Sequence, residues 1–185
     1  STHVRFNNVG SHGPGGESTF QKRYERLQPV TQTLGLPFLK INSNLDLFYN
    51  HLDFGCRKSH NFLQTHTLRN ASVALLLQEG IGRYLYASSY HYSDVYVGPT
   101  DSLGYIDLLI LPLLSTETLD AFSVGSQYTR VDKTLRVAEV ADSYTSLDVC
   151  ENYHNTSGYI NCGICKKCLR TLSTLEIAGY LERYS

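Results

Sequence analysis

Four of the five cysteines in the 185-residue sequence fall in one window, "CENYHNTSGYINCGICKKCLR", residues 150–170. Eleven residues separate Cys150 from Cys162, and Cys162, Cys165 and Cys168 then follow at two-residue intervals. Three chemistries use thiols at this density. A disulfide framework belongs to small secreted chains that cannot build a core, whereas 185 residues suffice for a domain with a hydrophobic interior. An iron–sulfur cluster also takes four thiolates, usually with other spacings and flanks. Zinc takes four in a tetrahedron, and a Cys-x-x-Cys step lets one turn of chain supply two ligands. The spacing favours structural zinc on Cys150, Cys162, Cys165 and Cys168, with an iron–sulfur cluster or a redox pair as the alternatives. Gly163 permits the turn between paired ligands, and Lys166 and Lys167 offset the charge of a tetrathiolate. His154 is the substitute ligand within the loop, but four cysteines already fill the shell, so it reads as solvated. Cys56 stands alone and reads as a small buried hydrophobe.

The rest of the composition bounds the function. Apolar residues make up 42% and charged residues 18%, with a formal net charge of -1. That balance gives no electrostatic case for general nucleic-acid or membrane binding. No apolar signal segment opens the chain, and no apolar run is long enough to span a membrane. Thiols spaced for metal imply a reducing, cytoplasmic setting, and the sequons at Asn70 and Asn155 are of the frequency chance supplies. Methionine is absent, even at position 1, and the chain opens almost at once on a strand-like run. This predicts a start that is not a native N-terminus.

These groups need a scaffold. His3–Val9 reads as a short strand, broken by the turn Gly10–Gly16. From Glu17, Phe20, Tyr24, Leu27, Thr31 and Leu34 recur at helical steps until Gly35, and a second strand follows from Leu36 to Asn42. Helix, strand and turn thus make a β-α-β unit, the building block of a parallel sheet. Residues 45–58 carry no clear pattern. "NFLQTHTLRNASVALLLQEG" reads as a long helix, apolar all round by Ala74–Leu77 and therefore buried there. "RYLYAS" offers a third strand, followed by a tyrosine-rich loop from Ser88 to Tyr105 and the apolar run "IDLLILPLL". Ser115 predicts a capped helix over Thr116–Phe122, and Asp132–Val140 another. A last helix runs from the cysteines to about Tyr184, with Leu169, Leu172, Leu175, Ala178 and Leu181 inward.

On four features the chain resembles the adenine-nucleotide α-hydrolase-like (PP-loop ATP pyrophosphatase) superfamily, in particular 7-cyano-7-deazaguanine synthase and its relatives. They are the strand and turn "FNNVGSHG", the helix motif "LRN" at Leu68–Asn70, the late segment "TRVDKTLRVAE", and "CGICKKC" with Cys150 upstream. The resemblance implies an α/β, parallel-sheet Rossmann-like (HUP) domain over residues 1–145, lacking its first strand and helix. A four-cysteine zinc segment over residues 146–185 would pack on it. It further implies a ligase that adenylates a small carboxylate or carbonyl substrate, releasing AMP and pyrophosphate, with ATP and Mg²⁺ as requirements. The signature phosphate loop S-G-G-x-D-S is absent, so the chain alone is expected to be inactive. Arg170 follows Cys168 by two residues where the synthase would have three, and the Ser88–Asp107 loop lacks a match to the synthase's substrate loop.

The resemblance and the strand-end positions together nominate Arg69 and Lys133 as catalytic cations. His12, Asn70, Asp94 and Asp101 are nominated for substrate or nucleotide. His12, Arg69, Asn70 and Lys133 are expected to converge at the carboxyl ends of the strands, remote from the zinc, and Arg69→Ala is expected to spare stability. The ordinary alternatives are surface ion pairs for the cations, a turn cap for Asn70 and solvated loop acids for the two aspartates. A different class of function also fits: fourteen tyrosines, several in one loop, would suit a non-catalytic, zinc-stabilised interaction module. An oligomer is compatible with either.

Overall fold

The computed structural model describes residues 2–13, 16–51, 61–152 and 159–184. Cys56, His154 and Asn155 lie outside them. The architecture is α/β with short parallel strands. Strand β1 (Val4–Asn8) leads through α1 (Glu17–Thr33) to β2 (Phe38–Asn42), and β1 and β2 pair in parallel with Val4 opposite Phe38. The predicted β-α-β unit is present. Its interior is aromatic on the α1 side, where Phe6 stacks on Phe20 at 4.8 Å and Phe38 on Tyr24 at 4.7 Å between ring centroids. These stacks place Phe20, fully buried, between the helix and the strand pair.

Helix α2 (Leu45–His51) falls in the stretch without a sequence pattern. Helix α3 (Phe62–Leu76) follows, its start fixed by Asn61, whose side chain accepts from the Gln64 amide. It leads to β3 (Arg83–Ala87), then α4 (Asp107–Leu113) and β4 (Asp120–Val124), with β3 parallel to β4. Ala71 and Ala74 of α3 pack with Tyr84, Leu111, Leu119 and Ala121 in the main core cluster. The all-round burial predicted for Ala74–Leu77 fails at Leu76, which is 81% exposed while Ala74 is closed off. The helix has an outer face there, and its leucines do not all find partners.

The helix expected over Thr116–Phe122 is a strand instead. Ala121 is buried while Asp120 and Phe122 are exposed, a period of two that Ser115 as a presumed cap obscured. The Ser115 hydroxyl does accept a backbone N–H, but it is that of Ala121, 3.0 Å away at the start of β4. Helix α5 (Arg130–Ala138) carries the predicted late segment and opens with a reciprocal cap between Thr129 and Asp132. A short α6 (Ser143–Ser146) precedes the cysteine loop, and α7 (Lys166–Ile177) closes the fold. Helix α7 stops before Tyr184, with Gly179 in the left-handed region at φ 71°. Its inward residues are Cys168, Thr171 and Leu175, whereas Leu169 and Ala178 are exposed.

The strands form two parallel pairs, β1–β2 and β3–β4, rather than one continuous sheet among the described residues. Helix α3 underlies both: Asn7 meets Asn70 and the Val9 carbonyl meets Arg69, while Tyr86 meets His66. The carboxyl ends of β1 and β3 therefore both lie towards the N-terminal half of α3, so the two pairs run the same way.

Candidate metal centre and strand-end residues

The four predicted cysteines come together. Their sulfurs all lie within 4.8 Å of one another. A tetrahedron with Zn–S bonds of about 2.3 Å has edges of about 3.8 Å, and Cys162 and Cys168 Sγ stand 3.9 Å apart. The donor set fits a tetrathiolate metal. Backbone amides turn inward on the sulfurs: Cys165 N–H points at Cys162 Sγ at 3.3 Å, Cys168 N–H at Cys165 Sγ at 3.5 Å, and Asn152 N–H at Cys150 Sγ at 3.3 Å. Such donors favour thiolate over thiol. The Cys168 amide, followed by that of Glu151, brings Cys165 down to about 6, whereas burial pushes Cys168 up to about 12. Gly163, at φ 71°, makes the turn between Cys162 and Cys165. Cys165 is also the N-cap of α7, so the same side chain that would hold metal starts the last helix.

Two arginines of α1 tie this segment to the first β-α-β unit. Asp148 accepts from both Arg23 and Arg26, and Arg23 also donates to the Cys150 carbonyl at 3.1 Å. The other end of this link is unexpected. His12 Nε2 lies 3.0 Å from Arg23 Nη1, and its Nδ1 lies 3.1 Å from Ser11 Oγ. His12 is 4% exposed, so its ring is committed to this chain of contacts. The expected separation of His12 from the metal site does not hold, because one guanidinium joins them.

Arg69 is 2% exposed. Its Nε donates to Thr65 Oγ1 at 2.7 Å and its Nη1 to the Val9 carbonyl at 3.1 Å, while Tyr49 and Phe62 flank the guanidinium. It fastens the end of β1 to α3. Removing it would strand a buried carbonyl and open a cavity, so Arg69→Ala is expected to cost about 3 kcal/mol, read as a fall in urea midpoint. This replaces the expectation that stability would be spared. An unchanged midpoint would show that water takes over its bonds.

Asn70 accepts from Asn7 Nδ2 at 2.9 Å and donates to the His66 carbonyl at 2.8 Å, tying α3 to β1 as well. Lys133 reaches the exit of β3, where its Nζ donates to Ser88 O at 2.9 Å and Oγ at 2.7 Å. Arg130 donates to the next carbonyl, Ser89, at 2.9 Å. Burial first, then Arg130, lowers the Lys133 pKa. Asp94 caps its own short 3-10 turn with His91 and is exposed, and Asp101 is exposed without a role in any element. Thus His12, Arg69 and Asn70 cluster around the end of β1, Lys133 stands at the end of β3, and the two loop aspartates make no hydrogen bond to any of them.

A buried polar chain escaped sequence reasoning. Thr67 donates to Asp107 Oδ1 and touches His66 Nδ1, which lies 2.9 Å from the Tyr86 hydroxyl. Burial pushes Asp107 up to about 6 and His66 down to about 4. The Thr-His-Thr triplet at 65–67 was visible, but only topology brings Asp107 beneath it. The signs are opposite. Folded Asp107 holds its proton from its ordinary value of 3.8 up to about 6, so its contribution to stability falls as pH rises through that window. Folded His66 gives its proton up early, so its contribution rises from about pH 4 to 6.5. Asp107→Asn removes only the first effect. Between pH 4 and pH 7 its unfolding free energy is expected to gain about 2 kcal/mol relative to the parent; a gap independent of pH would refute the assignment.

Among the described residues no helix is long and apolar enough to cross a membrane. No family model matches the chain, no curated protein matches it, and no solved structure matches its fold.

Proposed function

We propose that this chain is the nucleotide-domain part of an ATP pyrophosphatase-type ligase, a PP-loop enzyme of the adenine-nucleotide α-hydrolase-like superfamily, stabilised by one zinc. The observation that carries the proposal is Lys133, on α5, with its ammonium at the carboxyl end of β3 and Arg130 beside it. Ligands of open parallel sheets sit beyond those strand ends. In the proposed reaction a carboxylate or carbonyl oxygen of a small substrate, of the 7-deazapurine type, attacks the α-phosphorus of Mg²⁺-bound ATP. Pyrophosphate leaves, and ammonia or another nucleophile displaces AMP. Lys133 would stabilise the charge that grows on the departing pyrophosphate. The phosphate loop would come from residues outside the 185, in a cytoplasmic protein. The test is product identity: with those residues joined, AMP and pyrophosphate are expected, and ADP with phosphate would exclude the mechanism.

A second proposal, an interaction module without catalysis, draws support from the exposed apolar side chains of the β3–β4 pair, Leu85, Phe122 and Val124. It would retain the zinc and show no nucleotide turnover in the complete protein.

A further inference from the structure

The exit of β3 carries a concentration of positive charge that no acid among the described residues answers. Helix α5 opens with Arg130 and places Lys133 at the end of its first turn. A helix N-terminus is already positive, so acids are its usual occupants and cations are unfavourable there. The acid in that turn, Asp132, is committed to the cap, its Oδ2 accepting from the Thr129 amide at 2.9 Å and the Thr129 hydroxyl at 2.6 Å. Lys133 and Arg130 donate instead to two successive carbonyls, Ser88 and Ser89, both at 2.9 Å. These neutral acceptors hold the two cations at the strand end and leave their charge uncompensated. Gly125, at φ 90°, turns the chain at the end of β4 without setting a side chain beside Lys133.

Arg170 adds a third charge from another element. It lies in α7, two residues past Cys168, and α7 packs along α5. Its charge reaches Arg130: burial first, then Arg170, lowers the Arg130 pKa, as burial and then Arg130 lower that of Lys133. The Arg170 guanidinium makes no hydrogen bond to the described residues; of its polar groups, side chains engage only the carbonyl, through Thr174 Oγ1 at 2.9 Å. Among the described residues no carboxylate lies in ion-pair range of Arg130, Lys133 or Arg170. By contrast, Arg136 on the same α5 pairs with Glu139 at 3.3 Å, and Lys167 on the same α7 with Glu151 at 3.9 Å. The Tyr90 phenol borders the cluster, acting on the Arg130 pKa in the opposite sense, and its ring stacks on Tyr105 at 3.9 Å between centroids.

We infer that Arg130, Lys133 and Arg170 together form a binding site for a phosphate chain, with α5 and α7 each supplying an arginine. The chemistry selects the ligand. Three cations exceed what the single charge of a carboxylate can balance, and two guanidinium forks suit oxygens spread over two phosphorus centres. Ligands of open parallel sheets lie beyond the strand ends, where this cluster stands. An anion there removes the repulsion between Arg130 and Arg170 and occupies the positive end of α5. The cysteine segment gains a second consequence, because Cys165 caps α7 and the path of that helix sets where Arg170 stands. The inference rests on the reading of Lys133 as the partner of departing pyrophosphate, and extends it to two arginines that the family resemblance did not nominate.

The test is calorimetric titration of sodium pyrophosphate into the 185-residue chain at low salt, with inorganic phosphate and acetate as separate arms. Pyrophosphate is expected to bind about tenfold more tightly than phosphate, and acetate more weakly still. Arg130→Gln and Arg170→Gln should each weaken pyrophosphate about tenfold or more. Arg170→Lys keeps the charge without the fork and should recover part of the loss. Both arginines are exposed, so the thermal transitions should match the parent; were Arg130→Gln to misfold, the two Arg170 variants would carry the test. Arg136→Ala removes a cation of the same helix that is paired with Glu139, and should leave the affinity within about twofold. No pyrophosphate binding, equal weakening by Arg136→Ala, or full affinity in Arg170→Gln would overturn the inference. So would acetate binding as tightly as pyrophosphate, which would make the cluster a carboxylate subsite. The products of the complete protein judge the ATP reading separately. If ADP and phosphate form while the arginine variants lose pyrophosphate, the phosphate site holds and the reaction assignment fails. If AMP and pyrophosphate form while those variants bind normally, the reaction holds and the site fails.

Discussion

Cys165→Ser is expected to empty the metal centre and melt the C-terminal segment. Serine keeps the N-cap role, since its hydroxyl can accept the Cys168 amide as the thiol does. The change therefore isolates metal ligation from helix capping. A structural zinc supplies folding free energy on the order of 10 kcal/mol, comparable to the whole stability of a typical domain. Zinc measured after gel filtration should fall from one per chain towards zero, and the thermal transition should drop by more than 10 °C, as it should when a chelator strips the parent. The loss should spread beyond the loop, because Arg23 holds both Asp148 and the Cys150 carbonyl while contacting His12 in the turn between β1 and α1. Unchanged metal content and an unchanged transition would remove zinc from the account.

Lys133→Ala carries the second large effect. In the complete protein it is expected to lower the rate of AMP formation about a hundredfold, the scale of one lost electrostatic stabiliser. Stability should change by only about 1 kcal/mol, because the bonds lost are those to Ser88 at a half-exposed site. Asp94→Ala and Asp101→Ala should leave the rate unaltered, since Asp94 is engaged in the His91 cap and both side chains are exposed. An equal fall for all three would mean that Lys133 acts only on the fold.

The metal centre was legible in the sequence because its information is local: two Cys-x-x-Cys steps and one upstream cysteine define the geometry before any packing is known. The β-α-β unit was legible for a related reason, a helical period followed by Gly35 and a short apolar strand. What the sequence hid depends on partners far away in the chain. Arg69 looked like a free cation at a helix start, yet its role is set by the Val9 carbonyl, sixty residues earlier. His12 looked like a loop ligand and is held by Arg23 of the following helix. The strand β4 was misread because Ser115 suits either a helix cap or an acceptor for the Ala121 amide, and only pairing with β3 decides between them. Asp107 sits in an apolar run that reads as core, and its carboxyl became notable only when Thr67 was found beside it.

The central claim is that the complete protein activates an acid by joining it to AMP. The most direct measurement uses a 7-deazapurine carboxylate labelled with ¹⁸O in its carboxyl group, incubated with ATP, Mg²⁺, ammonia and the protein joined to a segment that carries the proposed phosphate loop. Attack of the carboxylate on the α-phosphorus and later displacement by ammonia leave one substrate oxygen on AMP. Mass spectrometry should therefore find AMP two mass units heavier, in step with product. Label retained wholly in the acid or appearing in inorganic phosphate would contradict it.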